Sequence, residues 1–222
     1  MKVKNILIVT TLIVIYFLFK IGNNSESKKS SFKGVQWRTN STLGSEEIWN
    51  TKWLRIEKHK VKTEDGKIMD DWIWIDEQEQ VNILVHLKAG GYAVYKQKKY
   101  GMATETLAPV GGLVEPGELP IEAAHRELLE EMGMKCSEMK PLGRFRVHAN
   151  RGYGFVSTFV ALNSELADEK LDSDDLESQE LVKLTRDELI TALFDGEFQE
   201  VKWTATIALA MLTEKFENFS CK

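Results

Sequence analysis

The stretch GLVEPGELPIEAAHRELLEEMGM, residues 112–134, decides how the rest of the chain is read. Pro120 and Gly133 match the preference for proline in the first helical turn and glycine just past the last, predicting a helix over about Pro120–Met132. On that helix Glu127, Glu130 and Glu131 stand at i, i+3 and i+4, sharing one face with about 5–6 Å between Cβ atoms. An exposed helix tolerates this crowding, because each like-charged pair costs only about 0.2–0.5 kcal/mol. The cluster therefore gains meaning only from its neighbours. Gly111, Gly112 and Gly117 make the entry loop compact and let backbone carbonyls approach a ligand. Carboxylates on the helix and a carbonyl on the loop are hard oxygen ligands, the kind that Mg²⁺ or Mn²⁺ selects.

Around this stretch the chain has an ordinary globular composition: 222 residues, 43% hydrophobic and 28% charged. The net charge of -5 offers no broad basic surface, which argues against nucleic acid as a partner. Two cysteines, Cys136 and Cys221, are too few for a disulfide framework and are not spaced as a zinc site. Near the N-terminus, residues 6–19 (ILIVTTLIVIYFLF) carry no charge, and as a helix they would span about 21 Å. With snorkelling lysines at either end the span reaches about 28 Å, close to a thin bilayer. Residues 1–22 are therefore expected to be an uncleaved membrane anchor, with a signal peptide as the alternative. Lys20, Lys28, Lys29, Lys33 and Arg38 follow the run and would leave the large C-terminal part in the cytosol.

Residues 23–47 are polar and rich in Ser, Asn and Gly, which reads as a flexible tether. From residue 48 to 100, β-branched and aromatic runs alternate with the Asp65-Gly66 and Gly90-Gly91 turn signals, predicting a largely antiparallel β region. Residues 101–217 hold the helix, then the strand candidates GRFRVH, FVSTFVAL and ELVKLT, with the acidic residues 163–180 between the last two expected as a loop. Two helices close the chain. The first is capped by Thr185 and Gly196, and the second shows Trp203, Ile207, Ala210 and Met211 at helical spacing.

Gly112, five residues, Glu118, seven residues, then Arg126-Glu127-Leu128, Leu129, Glu130-Glu131, Met132, Gly133 and Met134 fit every position of the Nudix box, and the chain resembles the Nudix hydrolases on those residues. The resemblance implies an α+β fold, the α/β/α Nudix sandwich with a mixed central sheet. It also implies Mg²⁺-dependent hydrolysis of a nucleoside diphosphate linked to another moiety, with Mn²⁺ as substitute. On this likeness Glu127 and Glu131 are the principal metal ligands, Glu130 a further one and the Gly111 carbonyl a backbone ligand. Arg126 is expected to orient the carboxylates, with Glu122 and Glu130 at i±4 from it, and Glu118 to be structural. The base that activates water is Glu127 or a carboxylate of the acidic loop, among Asp172, Asp174, Asp175, Glu177 and Glu180, with Glu177 and Glu180 preferred.

Over about residues 50–215 the chain more loosely resembles the ADP-ribose and ADP-sugar pyrophosphatase branch, through the β region, the basic QKKYG and the C-terminal helix sequence. That branch implies a homodimer built on the N-terminal sheet. Trp53, Trp72 and Trp74 are candidates for base stacking, and Lys98 and Lys99 for the diphosphate. One marker is absent: the position that usually carries proline about sixteen residues after the box is Asn150. Arg146, Arg151 and Tyr153 nearby are candidates for a different substrate pocket. The function expected is cleavage of ADP-ribose or another nucleotide sugar to a nucleoside monophosphate and a sugar phosphate. The alternatives are a dinucleoside polyphosphate, NADH or a coenzyme A derivative as substrate, or a Nudix module that binds a nucleotide without cutting it.

Overall fold

A computed structural model of the chain describes residues 37–168 and 179–216. The expected anchor, and Asp172, Asp174, Asp175 and Glu177 of the acidic loop, lie outside the described residues. Among the described residues no helix is long and apolar enough to cross a membrane.

The elements run β1 (Thr42–Asn50), β2 (Leu54–Lys62), β3 (Ile68–Glu77), β4 (Gln80–Leu87), β5 (Tyr92–Gln97), β6 (Thr106–Ala108), α1 (Pro120–Met132), β7 (Met134–Lys135), β8 (Glu138–His148), β9 (Gly152–Leu166), β10 (Gln179–Leu184), α2 (Arg186–Phe194) and α3 (Val201–Phe216). Strands β1, β2 and β3 form an antiparallel meander. The spatial order is β1-β2-β3-β9-β4-β5-β10, with β6 paired to β5 and β8 to β9. Strands β3 and β4 follow one another along the same edge of β9, both parallel to it, while β5, β8 and β10 pair antiparallel. The sheet is therefore mixed. The meander is continuous with it rather than a separate β region.

Burial along β4 explains the layering. Val81, Ile83 and Val85 pack with Ala123, Ala124 and Leu128 of α1, whereas Leu84 packs with Leu189, Trp203 and Ile207 of α2 and α3. A strand covered on both faces reads as a near-continuous apolar run, as VNILVHL does apart from Asn82 and His86. Trp203, Ile207, Ala210 and Met211 are all buried against the sheet, as their helical spacing predicts.

Two boundaries differ from the sequence reading. β1 begins at Thr42, inside the stretch expected as tether, and Trp37 and Arg38 already pack against later strands. Nearly all of β1 is exposed, so it shows no burial periodicity; its pairing to β2 supplies the order that its composition conceals. The second boundary is β9, which runs on to Leu166 through Asn163 in a left-handed conformation, φ 51°. That conformation is one that asparagine tolerates, so a polar residue that reads as loop sits within a strand.

Candidate active site

Helix α1 is fixed at both ends. Pro120 opens it, and the Glu122 carboxylate turns back to accept the Leu119 N–H at 2.9 Å. Gly133, φ 62°, closes it by donating its N–H to the Leu129 carbonyl at 2.9 Å, an αL ending suited to glycine. Tyr95 in β5 donates its hydroxyl to the Glu131 carbonyl at 2.9 Å and ties the last turn to the sheet.

The entry loop lies along β4. Ile83 N–H donates to the Val110 carbonyl at 2.8 Å and Val81 N–H to the Gly112 carbonyl at 2.9 Å. Because carbonyls alternate along an extended segment, the intervening Gly111 carbonyl faces the edge away from β4. A side chain on either glycine would force a neighbour to move. A Cβ on Gly111 would come within 2.1 Å of the Val81 carbonyl oxygen, and one on Gly112 within 2.2 Å of Glu127 Oε1. Glu127, 7% exposed, therefore rests its carboxylate directly on the loop backbone.

Arg126 organises the cluster. Its Nε and Nη2 bind both oxygens of Glu118 at 2.9 and 3.0 Å, Nη2 also donates to the Leu113 carbonyl at 2.9 Å, and Nη1 reaches Glu127 at 2.8 Å and Glu130 at 2.9 Å. The expected Arg126–Glu130 pair is present, whereas Glu122 is drawn into the helix cap and Glu118 takes its place. Hydrogen bonding from Arg126 holds the Glu118 carboxyl below the usual carboxylate range, and Glu118 in turn holds the guanidinium well above its ordinary value. Glu131 is half-buried, one turn beyond Glu127 on the same helix face.

Among the described residues no group of three or more His, Cys, Asp or Glu side chains is placed to hold a metal ion by itself. The donor set still fits a hard divalent cation. Mg²⁺ retains several waters, takes one or two protein carboxylates and completes its shell with substrate phosphates, so it needs an open anionic face. Glu127, Glu130 and Glu131 beside the Gly111 carbonyl provide one.

The remaining predicted residues divide. Arg146 and Trp74 are brought together, 5.5 Å from guanidinium to ring, on the α1 face of the sheet. Trp74 is buried, stacked on Trp37 at 5.9 Å and on His59 at 6.0 Å, with its N–H donated to Asp76 at 2.8 Å, so it is a core member of this wall. Trp53 lies exposed in the β1–β2 turn under Lys52, apart from this wall. Trp72 donates to the Asn150 carbonyl at 2.9 Å, so the position lacking the proline is an anchor for the meander. Arg151 donates to the Ile73 carbonyl at 3.2 Å, at the same junction. Tyr153, φ 54°, packs against His148. Lys98 and Lys99 leave the end of β5, Lys98 exposed and Lys99 half-buried.

Glu180 is displaced from its expected role. It pairs across β10–β5 with Lys96, and Val94 and Val182 on the same alternation pack against α2 and α3. Side chains alternate with period two, so Glu180 points from the sheet face opposite α1. The sequence showed that Glu180 was close to a strand but not which face it would take. Four residues of this wall escaped the sequence reading. Trp37 lies in the stretch taken as tether, while Glu79 and Ser157 join Arg144 in a network: Arg144 binds both Glu79 oxygens at 2.8 and 2.7 Å, and Ser157 donates to Glu79 at 2.7 Å.

Comparison with known proteins agrees with this geometry. The NUDIX domain family profile matches residues 76–219. The ADP-ribose pyrophosphatase of Bacillus subtilis (strain 168) is 23% identical over 176 residues, covering 79% of this chain and 95% of that protein. The crystal structure of an ADP compounds hydrolase aligns with a TM-score of 0.68 at 21% identity, over 84% of this chain and 98% of that one, a likeness of fold.

Proposed function

The chain belongs to the NUDIX domain family, and on that premise we propose that it is a Mg²⁺-dependent pyrophosphohydrolase. Its proposed substrate is ADP-ribose or a related nucleotide sugar, cleaved to a nucleoside monophosphate and a sugar phosphate. The observation that carries this reading is the complete box folded into one unit, with Glu127 seated on Gly112 and clamped by Arg126. The similarity to an ADP-ribose pyrophosphatase supports the substrate class. A divalent cation bound to the acidic face would neutralise the diphosphate and lower the pKa of the attacking water. The chain's own part is to hold Glu127, Glu130, Glu131 and the Gly111 carbonyl in fixed relation, which Arg126 and the α1 caps accomplish before any ligand arrives. Glu127 and Glu177 remain the proposed candidates for the base, since Glu180 faces away. Hydrolysis of a panel of ADP-ribose, other nucleotide sugars, dinucleoside polyphosphates, NADH and coenzyme A in ¹⁸O-labelled water, with Mg²⁺ or Mn²⁺, identifies the bond cleaved and the phosphorus attacked. Tight nucleotide binding without turnover in either metal would favour the non-catalytic module instead.

Two further readings concern setting. The edge strand β1 and its turn leave Leu43, Ile48, Trp49 and Trp53 exposed. An uncovered apolar edge of this kind supports the proposed homodimer through the meander. The uncharged run at residues 6–19 supports a membrane tether with a cytosolic catalytic domain, tested by whether full-length protein stays with membranes after alkaline carbonate washing.

A further inference from the structure

The last carbonyls of a helix have no partner within it and must find one elsewhere. At the end of α1 the Gly133 N–H takes the Leu129 carbonyl, and the Tyr95 hydroxyl of β5 takes the Glu131 carbonyl at 2.9 Å. The turn that receives this bond is electrostatically the least favourable of the helix. It carries Glu130 and Glu131 at the negative end of the helix dipole, and it contains no basic residue. All five N–H donors of Arg126 go to Glu118, Leu113, Glu127 and Glu130, so that clamp stops one residue short of Glu131. Arg126 thus fixes the middle of the acidic face, and Tyr95 reaches its far end.

Tyr95 is built to hold that end at a set height above the sheet. It is 7% exposed, and its ring packs in the core with Leu128 and Met132 of α1. Its strand is paired on both edges, with Leu181 of β10 and Ala108 of β6 opposite Tyr95 itself. A ring packed on all sides has little freedom to tilt, so it serves as a spacer of fixed length between β5 and the helix. Tyr92, also buried, lies an odd number of residues away and faces the other side of the sheet, packing with Leu189 and Ile207 and donating its hydroxyl to Glu214. The two tyrosines make equivalent bonds on opposite faces, and only one of them touches the turn that carries Glu131.

We propose that Tyr95 is a positioning residue for the acidic face: its hydroxyl fixes the turn that presents Glu131 and thereby sets the affinity of that face for a divalent cation. This rests on the cation site of the reading above. The test compares wild type, Tyr95→Phe, Tyr92→Phe and Glu131→Gln by Mn²⁺ binding without substrate, followed by electron paramagnetic resonance, by thermal melting, and by ADP-ribose hydrolysis across a Mg²⁺ titration. Tyr95→Phe keeps the ring and its packing, so it should fold. Loss of the positioning bond predicts a Kd about tenfold higher for the Mn²⁺ site that Glu131→Gln removes, and a similar rise in the Mg²⁺ concentration giving half-maximal rate. The expected kcat at saturating Mg²⁺ stays within about threefold of wild type. Tyr92→Phe should melt lower, having lost a buried hydrogen bond, yet bind Mn²⁺ as wild type does. Unchanged Mn²⁺ affinity in Tyr95→Phe overturns the proposal while wild-type turnover keeps the functional reading intact. An equal loss of affinity in Tyr92→Phe overturns it too, since the effect is then one of general stability. Wild type that binds Mn²⁺ through Glu131, and loses that affinity in Tyr95→Phe, yet cleaves nothing sinks only the hydrolase reading. Wild type that binds no Mn²⁺ sinks the proposal.

Discussion

Arg126 directs all five of its N–H donors into the site, two of them to Glu118 and one each to Leu113, Glu127 and Glu130. Lysine at this position keeps a charge but cannot reproduce the fork, so Arg126→Lys should lower kcat/KM and reduce stability by about 1–3 kcal/mol in chemical denaturation. Glu118 makes a pH-dependent contribution of definite sign. Its folded pKa lies below the unfolded value, so the pair stabilises the protein above that unfolded value, near 4.3, and is lost as pH falls through the folded one. Glu118→Gln should therefore destabilise the protein at neutral pH, and the difference from wild type should shrink in melts taken below about pH 4. Glu131→Gln keeps size and removes an anionic ligand; turnover should fall by about a hundredfold or more while the melting temperature holds. Retained turnover would refute the role assigned to that carboxylate. The spacing of the box made these carboxylates legible as a group. The partnership of Arg126 with Glu118 was not, because eight residues along a helix is more than two turns, beyond side-chain contact, and Glu118 reaches it from the loop instead.

Within the loop and helix unit, the two glycines are predicted to fail differently. A Cβ on Gly111 meets the backbone oxygen of Val81, which cannot move without displacing β4, so Gly111→Ala should destabilise the fold by about 2 kcal/mol or more. A Cβ on Gly112 meets the end of the Glu127 side chain, which can swing away. Gly112→Ala should therefore fold and melt close to wild type yet lose most of its activity and its affinity for Mn²⁺. The helix itself was readable because Pro120 and Gly133 are local signals whose meaning needs no tertiary partner. β1 was not readable, since a solvated edge strand carries no burial pattern. The end of β9 was missed for a related reason: Asn163 follows turn chemistry in a strand held from both sides.

For the whole molecule, the meander is continuous with the sheet that carries the box. Arg38 binds both oxygens of the buried Glu57 at 2.8 and 3.0 Å and sets Trp37 against Trp74 and Arg146. A chain beginning near Ser45 removes both residues and leaves Glu57 with His59 at 2.9 Å and Arg55 at 3.6 Å. It should melt on the order of 5 °C below a chain beginning at Trp37, and its KM should be higher. The uncovered edge belongs to this scale too. If the meander joins two copies, Trp49→Lys should shift the sedimentation coefficient from dimer to monomer, since a lysine on an edge strand opposes pairing.

By itself the sequence determined the box, the helix that carries it, the layered α+β class and the two closing helices, because each rests on short-range signals: spacing along one helix face, cap residues and apolar runs. The tertiary structure alone shows that Glu118 clamps Arg126, that Glu180 faces away from α1, that Trp37 stacks on Trp74, and that Arg144 is neutralised while Arg146 is not. Each of these depends on which face of the sheet a side chain takes and on what lies across the neighbouring strand, and sheet pairing sets both between residues far apart in the chain.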